Sequence, residues 1–151
     1  MIRVTIYKNE KHQCVGFKAH GHAGFSEEGQ DIVCAAVSVL TINTLNAIEK
    51  FADDRTSLVS DESKGHAGYA EEGQDIICAA VSVLVINTVN SLEQLTGDHI
   101  EVQEDDGFVS FTFTEPVSEG GRLLMDSLVL GLTEIQHSYS NHYLKVKVRE
   151  V

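Results

Sequence analysis

Cysteine, tryptophan and proline are scarce in this chain of 151 residues, which has three cysteines, no tryptophan and one proline. Three cysteines are too few, and odd in number, for a framework of disulfides, and no two of them form a CxxC pair. We therefore expect Cys14, Cys34 and Cys78 to be reduced thiols.

Basic residues are also scarce, because 11 lysines and arginines stand against 23 aspartates and glutamates and leave a net charge of −12. This balance argues against a nucleic-acid backbone or an anionic membrane as the main partner, and it is compatible with a basic protein or peptide partner. The start, MIRVTIYKNE, lacks the apolar core of a secretory signal, and the apolar runs are too short to span a bilayer. We expect a cytoplasmic protein with no direct nucleic-acid or membrane partner.

The dominant feature of the chain is an internal repeat. The segment GHAGFSEEGQDIVCAAVSVL at 21–40 returns at 65–84 with 17 of 20 positions identical, and the copies continue through 54 and 98 with 6 of 14 identical. Two copies are too few for a solenoid, and 42% hydrophobic with 23% charged residues is typical of an ordinary globular domain. We predict one domain over 1–151 in which the segment 21–54 is repeated at 65–98.

The hydrophobic patterns predict an α+β fold, with helices packed on a mainly antiparallel sheet and one of the helices present twice. Broad apolar surfaces predict buried helices at 31–51 and 75–95, and a third helix is expected at 119–139. Alternation of apolar and polar residues predicts the strands, at 2–7, 13–19, 55–60, 99–103, 108–114 and 144–148.

Each copy places a histidine twelve residues before a cysteine, as His22 with Cys34 and His66 with Cys78. The glycines between them permit a loop that folds back and brings imidazole beside sulfur. If Asp31 caps the first repeated helix, Cys34 lies in its first turn, where free N–H groups and the helix dipole stabilise a thiolate. A neighbouring imidazolium favours the thiolate further and can protonate a leaving amine, so the spacing permits a Cys-His dyad.

Simpler interpretations of the same residues remain open. A free cysteine within an apolar helix is often only a buried core residue, and a lone histidine often only packs or caps a turn. Asp31 and its copy Asp75 are explained by capping alone. Ser38 and its copy Ser82, one helical turn after the cysteines, either bond within a site or bond back to their own helix; back-bonding is the favoured interpretation.

A metal site and a phosphate loop fit the residues poorly. His20, His22 and Cys34 offer an H-x-H pattern, but Lys64 takes the place of His20 in the second copy and no fourth ligand has a recognisable spacing. The glycine-rich loop lacks the GxxxxGK[ST] pattern and carries two glutamates that repel phosphate. We expect no metal and no cofactor, and we interpret Cys14 as structural.

The segment GHAGFSEEGQDIVCAAVSVL resembles the ribosomal-processing cysteine protease family, Prp, whose motif is GHA, a short glycine-containing loop and G-x-DIVCA-x-x-S. The resemblance extends over about 107 residues, the length of the chain without one copy. It implies a small α+β homodimeric cysteine protease, without cofactor, that removes an N-terminal extension from large-subunit ribosomal protein twenty-seven. By motif match, His22 and Cys34 carry the dyad in the first copy, and His66 and Cys78 carry it in the second. The supporting positions are Asp31, Ser38, Asp75 and Ser82.

The duplication departs from the family pattern, because neither copy keeps both of its family-like connections. The first copy is slightly favoured, since an intact strand leads to His22 whereas His66 follows a polar linker. The alternative is a non-catalytic module that binds the ribosomal protein but has lost turnover. An extra apolar helix without cover predicts a dimer, with segment swapping about a hinge at 60–64.

Overall fold

The computed structural model describes residues 2–21, 30–53, 74–105, 108–139 and 143–151, without the side chains of 30–35, 74–76 and 139. In chain order the elements are the strands β1 and β2, the helices α1 and α2, the strands β3 and β4, the helix α3 and the strand β5. Their bounds are Ile2–Lys8, Cys14–His20, Gln30–Phe51, Gln74–Leu95, Ile100–Asp105, Phe108–Phe113, Glu119–Tyr139 and Leu144–Glu150. The α+β prediction is confirmed, and the predicted strand at 55–60 lies outside the described residues.

The five strands form one mixed sheet in the order β3-β4-β2-β1-β5. Three of the four pairings are antiparallel, and β5 runs parallel to β1 at one edge. Paired strands place side chains alternately on the two faces of a sheet. The apolar residues of β1 and β2 therefore share one face, on which Phe17 stacks on Phe111 of β4 with ring centroids 5.2 Å apart.

Helices α2 and α3 contribute the helical side of the core that lies on this apolar face. The core joins Val4, Ile6 and Phe17 of the sheet to the buried residues of α2 and α3; the buried residues of the two helices are Ile77, Cys78, Ala80, Val81, Leu84, Val85, Leu92, Met125, Leu128, Leu132 and Ile135. By length and a mean hydropathy of 1.3, Ile77–Leu95 could also cross a membrane. Half of that segment is buried here, and the core helices of soluble proteins can have the same length and composition.

The two repeated helices occupy different places although 15 of their 22 aligned residues are identical. Val81 of α2 is 4% exposed in the core, whereas Val37, the identical residue of α1, is 59% exposed. Helix α1 contacts both other helices, and its Val39 and Leu40 pack against the core from outside. Among the described residues, α2 is therefore the copy that covers the sheet, and α1 lies on the helical layer.

A polar contact holds α1 against α3. The side-chain amide of Asn43 donates to the carbonyl oxygen and to the hydroxyl of Ser127, at 3.2 Å each. Gly131, one turn later on α3, makes this approach possible, because a Cβ there would lie 2.7 Å from Asn43 Oδ1 and 2.9 Å from Leu84 Cδ1. The argument for a dimer assumed that one repeated helix lacks cover within the chain; α2 and α3 cover part of α1, and its Val37 is still 59% exposed. The oligomeric state itself stays a prediction.

Candidate active site

An open groove lies between α2 and the end of the sheet where β2 finishes. Its volume is about 320 Å³, within the range of ligand pockets. Ala19 and Val109 form part of its floor, and successive turns of α2 form one wall. We call this feature the groove; its lining residues are Ile2, Ala19, His20, Gly21, Val81, Ser82, Val85, Ile86, Val89, Asn90, Glu104, Asp105, Phe108 and Val109.

The groove is apolar along its floor and helix wall and acidic along its other side. Ile86 of α2 is 50% exposed at its edge and extends the apolar surface formed by Val85 and Val89. Glu104 and Asp105, two acidic residues at the end of β3, line the opposite side. An elongated apolar surface beside carboxylates fits a peptide that carries an apolar side chain next to a cationic one.

The groove combines elements from the two copies of the repeat. Gly21, which begins the first GHAG, lines it at the end of β2, and Ser82 of the second copy lines it from α2. None of the described residues of α1 belongs to this lining. The strand end of the first copy thus meets the helix of the second copy.

Cys78 lies one helical turn before Ser82 on α2 and is 3% exposed. Its neighbours on α2, Ile77 and Val81, belong to the same core. The backbone of Cys34 lies in α1, and its side chain is outside the described residues, as are all atoms of His22 and His66. The geometry of either His-Cys pair is therefore still a prediction.

Helices α1 and α2 include Asp31 and Asp75 next to their first described residues, Gln30 and Gln74. The side chains of both aspartates lie outside the described residues, so their capping role stays a prediction. Cys34 and Cys78 lie within the first two turns of their helices, where the helix dipole favours a thiolate and weakens beyond the first turn.

The favoured back-bonding of Ser38 is not observed. Ser38 is 5% exposed, and its hydroxyl has no hydrogen-bond partner among the described groups. Thr44 and Thr88, in contrast, do donate to the carbonyl oxygens four residues earlier. Ser82 differs from its copy, because it is half-buried and faces the groove.

Cys14 behaves as a structural thiol. It is buried at the start of β2, and this burial raises its pKa, as does the negative charge of Asp126, while the positive charge of Lys8 opposes the shift. Such a thiol is inert at neutral pH, because the thiolate is the reactive form. Among the described residues, no group of histidine, cysteine and acidic side chains could hold a metal ion.

Sequence reasoning missed His20, Asn90, Glu104 and Asp105 as lining residues of the groove. The acidic hairpin was visible in the sequence as EDDG at 104–107. The position of this hairpin beside β2 could not be inferred from the sequence, because the pairing of β4 with β2 joins segments about 90 residues apart. Asn90 has an identical copy in Asn46, and only the packing of α2 on the sheet distinguishes the two.

Comparison with known proteins agrees with this architecture. The family model described as cysteine protease Prp matches residues 1–63 and 53–144. The ribosomal processing cysteine protease Prp of Bacillus subtilis (strain 168) is 40% identical over 48 residues, which are 32% of this chain. The match spans less than half, 43%, of that relative's length.

Solved structures show the same fold. The essential ribosomal processing protease Prp from S. aureus, in complex with a covalently linked product peptide, superposes with a TM-score of 0.63 at 18% identity. That superposition covers 99% of this chain and 100% of the other. A protein from Streptococcus mutans gives a TM-score of 0.63 at 22% identity over 100% of this chain and 96% of its own. Because the family model matches most of the sequence, the chain belongs to the cysteine protease Prp family.

Proposed function

We propose that this protein is a cysteine endopeptidase that removes the N-terminal extension of large-subunit ribosomal protein twenty-seven in the cytoplasm. The observation that carries the proposal is the groove, which lies where the first GHAG begins and beside the helix that holds Cys78. Its apolar floor and its carboxylates suit a segment of a basic protein, as does the net charge of −12.

The proposed dyad pairs a histidine of one copy with the cysteine of the other. His22 follows Gly21 directly, so its Cα is bonded through one peptide to a residue that lines the groove and lies about 3.8 Å from that residue's Cα. Cys78 lies on α2, the helix that forms the wall of the groove. We therefore assign the nucleophile to Cys78 and the base to His22, in place of the slight preference for Cys34.

The chemistry follows from the two groups. Imidazole takes the proton of the thiol, and the thiolate attacks the scissile carbonyl carbon to form a tetrahedral intermediate. Collapse of this intermediate breaks the C–N bond, and the imidazolium gives its proton to the leaving amine. Water, deprotonated by the same imidazole, then hydrolyses the thioester and restores the thiol. Because Cys78 is 3% exposed, an adjacent base is needed to ionise it.

The test is cleavage of a synthetic peptide that spans the junction of the extension, followed by mass spectrometry. Wild type should cleave at one site, and Cys78→Ala and His22→Ala should each lose at least a thousandfold in rate. Cys34→Ala and His66→Ala are the matched controls from the other copy, and we expect them to retain the rate. Absence of cleavage by wild type, or unchanged cleavage by the Cys34→Ala/Cys78→Ala double variant, would contradict the proposed function.

The near-complete burial of Cys78 supports one alternative, a non-catalytic module that binds the ribosomal protein in the groove. Rates of thiol alkylation measured against pH separate the two functions. An assembled dyad gives one cysteine that ionises below the ordinary thiol value of about 8.5, whereas a binding module gives only ordinary or slower thiols.

A further inference from the structure

The face of the sheet that points away from the helices concentrates positive charge in an otherwise acidic chain. Five of the eleven lysines and arginines lie on it: Arg3, Lys18, Lys145, Lys147 and Arg149. They alternate along their strands with residues that face the core, such as Val4 and Ile6 of β1. The described helices pack on the opposite side, and four of the five cations are exposed. We call this surface the outer face.

The strand register fixes how these charges are arranged. Parallel pairing places Arg3 opposite Lys145 and Tyr7 opposite Arg149, while Lys147 lies opposite Thr5 between them. Successive cations along β5 are thus two residues apart, or about 6.7 Å, and neighbouring strands are about 4.8 Å apart. By register, the acidic residues of the outer face are Glu101 and Asp105, which lie at the far edge, on β3; Asp105, at the end of this strand, also lines the groove. The part formed by β2, β1 and β5 is therefore uniformly basic among the described residues.

Aromatic rings lie among these charges. Tyr7 is half-buried beside Gly16, where a Cβ would come 3.4 Å from its ring. The ammonium group of Lys18 lies over the ring of Phe108, at 5.5 Å from the ring centroid. An open depression of about 340 Å³ lies over this region and is lined by Thr5, Tyr7, Lys18, His20, Lys147, Val148 and Arg149.

We propose that the outer face binds single-stranded nucleic acid, with its lysines and arginines on the phosphates and Tyr7 stacked on a base. Single-strand sites combine a basic surface that follows the backbone with exposed aromatic rings, because every base offers a face for stacking. An acidic protein surface is the competing ligand, but it gives no role to the tyrosine. The net charge of −12 is an average over the whole surface, and the outer face departs from it.

The experiment measures fluorescence anisotropy of labelled 12-nucleotide RNA and DNA strands of mixed sequence, titrated with the full chain from 50 to 200 mM salt. Three or four neutralised phosphates give a slope of log affinity against log salt of about −2 to −3 for a single strand. Lys147→Glu/Arg149→Glu should weaken binding at least tenfold and flatten that slope. Tyr7→Leu should weaken it about fivefold or more and leave the slope unchanged.

The control variant is Lys50→Glu/Arg122→Glu, which changes the net charge equally on exposed helical positions away from the outer face. It should retain at least half the affinity. Tighter binding of the RNA arm than of the DNA arm would assign the ligand to RNA, and equal binding would assign it to single strands in general. No saturable binding at 50 mM salt, equal weakening by the control variant, or equally effective competition by polyglutamate would overturn the proposal.

Discussion

Two identical valines test which copy of the repeat covers the sheet. Val81 of α2 is 4% exposed, and Val37 of α1 is 59% exposed, although both stand in the sequence CAAVSVL. Replacing each with alanine removes the same atoms from the same local sequence. Any difference in the stability of the two variants therefore comes from the tertiary environment.

The expected loss at Val81 follows from its burial. Removing two buried methyl groups costs about 1.6 kcal/mol at about 0.8 kcal/mol each. A residual cavity of roughly 40 Å³ adds about 1 kcal/mol, at about 24 cal/mol per Å³. The higher helix propensity of alanine returns about 0.5 kcal/mol. Val81→Ala should therefore lower the free energy of unfolding by about 2 kcal/mol, while Val37→Ala should stay within about 0.5 kcal/mol of wild type.

Urea titration followed by far-ultraviolet circular dichroism measures both variants, and the slope of the transition should not change. In a thermal scan, Val81→Ala should lower the Tm by about 4–8 °C in a chain of this size. Equal destabilisation by the two variants, or a larger effect at Val37, would refute the packing of α2 on the sheet.

Three further predictions concern other parts of the molecule. Gly121→Ala should lower the free energy of unfolding by about 1–2 kcal/mol, because the added Cβ would collide with Asp98, whose carboxylate accepts hydrogen bonds from the N–H and hydroxyl of Ser118. Gly120→Ala is the control: a Cβ there would lie 3.5 Å from its nearest neighbour, so urea titration should show unchanged or higher stability. Burial raises the pKa of Cys14, so its contribution to stability is complete below the pKa of the unfolded-state thiol and is lost as pH rises through the higher pKa of the folded state. The free energy of unfolding should accordingly fall between pH 8 and 10, and less so in Cys14→Ala; an equal fall in both would contradict this. Glu104→Gln should lower kcat/KM about two- to fivefold for a substrate peptide with lysine next to the scissile bond, and it should leave kcat/KM unchanged for the analogue with norleucine in place of that lysine. Glu101→Gln, on the outer face of the same strand, should leave kcat/KM unchanged for both peptides.

Local patterns in the sequence were sufficient to locate the described helices and strands. Periodicity located α3 at its observed bounds and placed the other described helices and strands within about two residues, because alternation and helical spacing reflect burial directly. The GHA and DIVCA motifs indicated the family, which the family model confirmed. The repeated helices include one residue more at their N-terminal ends than predicted, Gln30 and Gln74, which is within the usual variation of helix ends.

Only the tertiary structure decided which copy of the repeated helix covers the sheet and lines the groove. The repeated helices share most of the residues that would let either of them cover the sheet. Among the positions at which they differ, Val85 is buried in α2, and its equivalent Thr41 is exposed in α1. Burial of a valine against the sheet is favourable, and burial of a threonine hydroxyl is not. The groove, which joins the first copy's strand end to the second copy's helix, likewise depends on contacts between distant segments. The sequence of each copy determines its helix, and long-range packing determines that helix's partners.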